Sequence, residues 1–239
     1  MPADEVYARA ARATHVILGE AHDNPEHHRL QRLALERLPG PRVLAMEQFD
    51  NEYQAAIDAA PANAEAIADA GHFDRKGWNW PLYRPLVEFA VEHRWPIIAA
   101  NLSRTDARAI VREPEASGLP PAPALTKELE RDIAESHCGE RPPRKLLAGM
   151  AEAQRARDAR MASRLRAPSV LITGTGHARR DRGVPLYLPG ADIVSIGFTE
   201  IDADKKSPRD YLTGLFTPAS FDYLWFTARA KREDPCQRR

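Results

Sequence analysis

Short apolar runs rich in β-branched residues alternate along the chain with stretches whose apolar residues recur every three or four positions. The first pattern belongs to buried strands and the second to helices lying on a sheet. The alternation therefore predicts an α/β fold with a mainly parallel sheet flanked by helices. Strands are expected at Thr14–Leu18, Val43–Met46, Pro96–Ala100, Ser169–Thr173 and Ile193–Phe198. Between them, Glu26–Leu38 places Leu30, Leu33, Leu35 and Leu38 among charged positions, and Leu82–His93 places Leu86, Phe89 and Ala90 at helical spacing before Pro96 closes it.

Two regions depart from this rhythm. Glu113–Ala124 holds four prolines and one glycine and cannot continue a helix, and a further break, RPPRK, follows Cys138. Residues 113–145 thus read as a helical, proline-rich insertion, either a lid or a surface loop, with its helix at Leu125–Ser136. Near the C-terminus, DIVSIGFTEI and DYLWFTARA alternate apolar and polar residues, which predicts two antiparallel edge strands joined by Lys205 to Pro218. The 239 residues suit one α/β domain.

Charge narrows the partners. With 34 basic and 34 acidic residues, the chain gives no electrostatic support to a nucleic-acid or acidic-membrane partner. No segment approaches the roughly 18 consecutive apolar residues of a transmembrane helix. The N-terminal MPADEVYARAARATHV has acids among its first residues and no signal-peptide core, so the chain as given reads as cytoplasmic, or as one that has lost an export signal. Cys138 and Cys236 form neither a CxxC pair nor a CxxCH motif, so they read as two free thiols.

Candidate chemistry lies at the strand ends. In an open α/β sheet, ligands bind outside the carboxyl ends of the strands, where loops converge and helix N-termini point their amides into a crevice. Here the first strand ends in Gly19, Glu20 and His22, the second in Glu47, the third in Asn101, and the fourth in Gly174, Gly176 and His177. A structural turn is satisfied by Asp, Asn, Ser or Gly and has no need of Glu or His. Glu20, His22, Glu47 and His177 are therefore expected to share one pocket.

Three chemistries fit that set. Two imidazoles and two carboxylates suit a divalent ion such as zinc, manganese or iron, able to activate water for hydrolysis. Without a metal, a histidine held by a buried glutamate is a general base and the second glutamate an acid. The same residues can also floor a pocket for a flat cofactor. In GTGH, Gly174 and Gly176 would adopt positive φ and let the backbone approach a ligand, presenting His177. Arg179 can grip a ligand carboxylate or remain solvated.

Two further segments bear on the pocket. In Gly149–Leu165, the stripe Met150, Gln154, Met161 and Leu165 is interrupted where Arg157 and Asp158 fall, so these polar residues face the site or brace the sheet. Phe73, Trp78, Trp80 and Tyr83 crowd one segment, as core or as a porphyrin face, and Tyr83 can supply a phenolate ligand. His27 and His28 read as surface residues of the first helix.

LGEAHDNPEHH, LAMEQFD, GWNWPLYRPLVEFA, AANLSR, QRARDARMA, GTGHARRDRGVPLYL and FDYLWFTARAKREDPC, in this order over nearly the whole chain, resemble the ChaN-like haem-binding uptake family. That family more weakly resembles the Tiki, TraB and erythromycin esterase group, with its Gly-Glu-x-His start, second glutamate and late Gly-x-x-His. The resemblance implies a haem-binding protein of iron acquisition. Such a protein is often an exported periplasmic or outer-membrane lipoprotein, and it can form a homodimer with two haems between subunits. The resemblance carries Glu20, His22, Glu47, Gly174 and His177 as the shared motif but no axial ligand; from the residues themselves, His22, Tyr83, Gly174, Gly176, His177 and Arg179 are the candidate haem contacts, with Tyr83 or His177 as the candidate iron ligand. The wider group implies a metal-assisted or histidine-based hydrolase of a peptide, ester or other small molecule.

Overall fold

The computed structural model describes residues 2–137, 141–205, 207–211 and 219–232. Cys138 and Cys236 lie outside the described residues. Elements follow in the order α1 (Ala3–Arg12), β1 (His15–Glu20), α2 (Pro25–Arg37), β2 (Val43–Asp50), α3 (Gln54–Ala59), α4 (Ala64–Ala70), α5 (Trp80–Glu92), β3 (Ile97–Asn101) and α6 (Arg104–Arg112). Then come α7 (Pro123–Ser136), α8 (Arg144–Arg164), β4 (Ser169–Gly174), the single turn α9 (Thr175–Ala178), β5 (Ile193–Glu200) and β6 (Tyr223–Thr227).

The six strands form one sheet in the order β3-β2-β4-β1-β5-β6, and every neighbouring pair is parallel. This corrects the expected antiparallel edge: β6 runs parallel to β5, with Ile196 opposite Tyr223 and Glu200 opposite Thr227. Alternation reports which side of a strand is buried, not its direction. The residues from 201 to 222 between the two strands suffice for the crossover that a parallel neighbour requires, whereas an antiparallel neighbour needs only a tight hairpin.

Period-two alternation sorts the core into two layers. Val16, Leu18, Leu44, Met46, Val170 and Ile172 pack with α1, α2 and α5 on one face, while Ile17, Ala45 and Leu171 pack with Met161 and Ala162 of α8 on the other. Four of the five expected strands run on past their predicted C-terminal ends into polar residues, β1 through Glu20 and β2 through Asp50. A polar residue ends an apolar run in sequence without ending the hydrogen-bonded ladder. The edge strand β3 is closed by a side chain: Gln54 donates to the Ile97 carbonyl and accepts from the Ala99 N–H, which blunts the edge against further pairing.

The 113–145 region forms a short 3-10 turn at Pro114–Ser117, then α7 and the first residues of α8. Leu129 and Ile133 of α7 bury against Leu147 and Ala151 of α8. No helix among the described residues is long and apolar enough to cross a membrane.

Helix α8 carries much of the site, and Gly149 sets its seat on α6. A Cβ on Gly149 would fall 2.0 Å from the Val111 carbonyl oxygen, so the helices cannot keep this spacing with any larger residue. Alanine would gain about 1 kcal/mol of helix propensity but overpack a backbone contact, which costs roughly 1–3 kcal/mol or more. Gly149→Ala is expected to lower the urea midpoint with an unchanged denaturant slope; an unchanged or raised midpoint would show that α6 yields freely.

Candidate functional site

Because all six strands are parallel, their carboxyl ends open on one side of the sheet. The three central ones, β2, β4 and β1, deliver the sequence candidates there. Glu20 is the last residue of β1 and shares the parity of Val16 and Leu18, so it points to the α2 and α5 face. Glu47 shares the parity of Ala45 and points to the opposite face, toward α8. The two carboxyl groups are thus built into different layers.

Glu20 is buried and fully engaged. Its Oε1 accepts from Tyr83 OH at 2.5 Å and lies 3.0 Å from His22 Nδ1, while its Oε2 accepts from Gln31 Nε2 at 2.5 Å. His28 Nδ1 approaches the same Oε2 at 3.4 Å without hydrogen-bond geometry, and His28 Nε2 binds the His22 carbonyl at 3.0 Å. Burying a carboxyl group is tolerable only with such partners. His27 is also buried: its Nδ1 accepts from the Ala21 N–H at 2.8 Å and its Nε2 lies 2.8 Å from Thr227 Oγ1. Burial pushes the His27 imidazole down to about 4, so it is neutral at physiological pH. His27 and His28 are therefore interior braces of the β1–α2 turn and not the surface residues expected from sequence. The signal that could have found them is the spacing of His28, Gln31 and Leu35, which continues the buried stripe of α2.

On the other face, Glu47 Oε2 accepts from Thr173 Oγ1 at 2.6 Å and from the Gly174 N–H at 2.8 Å. His177 Nε2 stands 3.5 Å from Glu47 Oε1, and His177 Nδ1 binds Asp158 Oδ1 of α8 at 2.7 Å. Burial disfavours the charged form of every member of this line, yet their mutual charges win for two of them. His177 is raised to about 9, since the Glu47 and Asp158 carboxylates outweigh its desolvation. Glu47 is lowered to about 2 by the His177 and His22 charges and the two hydrogen bonds, again against burial. Asp158 is raised by burial, with His177 pulling it back. At neutral pH the array is an imidazolium between two carboxylates.

His22 joins the two halves. It leaves the end of β1 and folds over Gly174, where a Cβ would lie 3.0 Å from its Cε1 and Nε2. A side chain at position 174 would press on that ring, which would have to give by a few tenths of an ångström. The φ of Gly174 is −64°, so the expected positive φ is not present, and a Cβ at Gly176 would meet nothing. The His22 side chain is 44% exposed, and its Nδ1 is held by Glu20. Its Nε2 has no hydrogen-bond partner among the described residues, and Trp78 stands edge-on with ring centroids 4.5 Å apart.

His22, Glu47 and His177 line one crevice of about 600 Å³, with Gln48, Trp78, Asn101, Gln154 and Arg157 among its other walls. A second recess of about 460 Å³ adjoins it at His22, Gln154 and His177 and is roofed by Leu129, Asp132 and Ile133 of α7. The four sequence candidates fall into two pairs, and among the described residues no three His, Cys, Asp or Glu groups are placed to hold a metal ion. Glu20 sits beneath His22 with its oxygens occupied.

Other candidates take structural roles. The Tyr83 hydroxyl is buried and donates to Glu20; burial and the Glu20 charge push its ionisation far upward, which opposes the phenolate form a tyrosine ligand needs. Phe73 and Trp80 are core, while Trp78 of the same cluster faces the crevice. Arg179 is buried, binds both Asp181 oxygens and Ser220 Oγ, and lines neither recess. The arginine that does line the crevice is Arg157, held by Asn101 Oδ1 at 2.9 Å.

The raised His177 has a measurable consequence. A folded pKa near 9 against an ordinary 6.5 contributes stability that is fully present below about pH 6.5 and is lost as pH rises through 9. Histidine-selective NMR should place its titration near 9 in the wild type and lower in Asp158→Asn. Titration of His177 at or below 6.5 would show that the two carboxylates do not act on it.

A solved structure of ChaN from Campylobacter jejuni, described as showing cofacial heme binding, aligns with a TM-score of 0.73 and 24% identity, over 84% of this chain and 88% of that one. The type III effector HopBA1 aligns with a TM-score of 0.47 and 13% identity, over 95% and 93% of the two chains. A Bacillus cereus protein gives 0.44 and 12%, over 82% and 68%. No curated protein matches. Residues 6–188 match the family described as haem-binding uptake, Tiki superfamily, ChaN, and the chain belongs to that family.

Proposed function

We propose that this chain binds haem in the strand-end crevice, with His22 as the iron ligand, in the service of haem or iron acquisition. The observation that carries the reading is the state of the two His22 nitrogens: Nδ1 is fixed by the buried Glu20, while Nε2 faces the crevice without a partner among the described residues. A carboxylate on the far nitrogen is the usual device for orienting a metal-ligating histidine and raising its basicity. His177 is less suited, because both its nitrogens face carboxylates.

Two further crevice groups suit the same occupant, although Asp50 and Asp74 put acids on the same wall. Trp78 offers an aromatic surface beside His22. Gln48 is buried against the crevice with both amide atoms unsatisfied; it lies near the Tyr83 hydroxyl but without hydrogen-bond geometry. Such a group is costly unless something bonds it. When bound, haem would supply an iron centre able to take a histidine ligand, on a flat apolar body.

A histidine- and glutamate-based hydrolase is the second reading, favoured by the Asp158–His177–Glu47 line at the crevice floor. In that line His177 is a proton donor at neutral pH, and Glu47, lowered to about 2, is a weak base. The line is therefore better suited to protonating a leaving group than to activating water.

Titration of the purified protein with haemin should give a saturable Soret shift that His22→Ala abolishes and Tyr83→Phe leaves in place. No shift in the wild type would remove the haem reading, and a shift that survives His22→Ala would move the ligand elsewhere. If the haem reading holds and the second does not, a panel of ester and peptide substrates should show no turnover that His177→Ala removes. Turnover lost in both Glu47→Gln and His177→Ala would make the protein a hydrolase.

A further inference from the structure

We infer that α7 is a movable cover over the recess that His22 and His177 line, latched to the strand-end turn by the ion pair between Arg182 and Asp132. The inference goes beyond the haem reading, because it concerns access to the strand ends whatever occupies them.

Packing singles out this helix. Leu129 and Ile133 of α7 meet Leu147 and Ala151 of α8 in a small cluster of their own, apart from the two layers that cover the sheet. Beyond that seam α7 has space on both flanks. Ile133 and Ser136 wall the recess of about 460 Å³ toward His22 and His177, and also a recess of about 450 Å³ toward Ala107 and Val111 of α6. Protein interiors are close-packed, so a helix with a recess on either side forgoes much of the dispersion attraction that would bind it to the body. Its connections do not stiffen it. Gly118, with φ of 65°, and Pro120, Pro121 and Pro123 lead into α7, and Pro142 and Pro143 precede α8, so neither helix continues into the other as one rod.

What holds the cover in place is electrostatic. Arg182 is buried; its Nη1 donates to Asp132 Oδ2 at 2.7 Å and lies 3.5 Å from Glu128 Oε2, one helical turn earlier on α7. The segment that carries Arg182 cannot follow the helix outward. A Cβ on the adjacent Gly183 would fall 2.2 Å from the His177 carbonyl oxygen, and the Gly183 N–H donates to the Arg179 carbonyl at 2.8 Å. The latch therefore joins α7 to the very turn that presents His177. Opening returns the half-buried Asp132 carboxylate to water but takes from the buried guanidinium its nearest acid, which favours the position seen here.

The test is a pair of distances measured by double electron–electron resonance on the full chain without ligand, with Cys138 and Cys236 replaced by serine. One nitroxide pair joins Glu135→Cys, exposed on α7, to Leu186→Cys, exposed on the segment between α9 and β5; a control pair joins Glu36→Cys of α2 to the same Leu186→Cys. The first pair should show a main distance and a minor, longer one. Asp132→Asn keeps the side chain's size and removes its charge, and should raise the longer component about fivefold relative to the main one. Adding Glu128→Gln should raise it further, while the control pair keeps its wild-type distribution. A first-pair distribution that Asp132→Asn leaves unchanged overturns the inference. So does a control pair that broadens with it, because the ion pair would then hold the whole domain together instead of a cover. Haemin is absent throughout, so neither outcome bears on the haem reading.

Discussion

The buried carboxyl group of Glu20 is the constraint around which the strand-end architecture is arranged. A carboxyl at the end of a central strand cannot reach water, so its oxygens must be satisfied from neighbouring elements. Gln31 comes from α2, Tyr83 from α5 and His22 from the turn that leaves β1. Meeting that demand fixes how both helices of one layer sit on the sheet and which way the His22 ring is turned. His27 and His28 finish the arrangement by binding the backbone of the same turn. A site residue and its supports are thus specified by a single electrostatic requirement.

The opposite layer repeats the logic with a different outcome. Glu47 has Thr173 and the Gly174 amide for two hydrogen bonds and a charged imidazole for the rest. Since Asp158 stands behind that imidazole, the proton is held from both sides. The Glu20 layer is mostly uncharged donors around one acid, whereas the Glu47 layer is a charged line. His22 lies over Gly174 between them, which is possible because β4 is placed between β1 and β2 in the sheet.

Much of this was legible in the sequence, and the parts that were not share a cause. Apolar runs located the five main strands, and the polar residues at their ends pointed to the crevice side because parallel strands all end there. The direction of β6 was hidden because alternation encodes burial and carries no direction. His27 and His28 were hidden because a charged helix start resembles a solvated one unless its residues are followed to Gln31 and Leu35. Arg179 was suggested by its proximity in sequence to GTGH, while only the fold shows Asp181 and Ser220 occupying it. Asp158 was better marked, since it breaks an apolar stripe on a helix that had to be buried.

Ligand recognition is a property of what the interior leaves unspent. Glu20, Tyr83, Gln31 Nε2, Glu47, Thr173, His177 and Asp158 satisfy one another, and each would have to break an existing bond to reach a ligand. His22 Nε2, the Gln48 amide and the remaining donors of Arg157 have no such prior claim among the described residues. Those three groups offer a lone pair or acidic proton site on an imidazole, a neutral donor and acceptor, and a cationic fork. A ligand that matches all three must present a group that accepts an imidazole, a polar atom nearby and an anion farther along, with an apolar surface beside Trp78. The ordering of the buried groups thus narrows the ligand more than their identities do, because the groups that look most reactive in sequence are the ones already bound to each other.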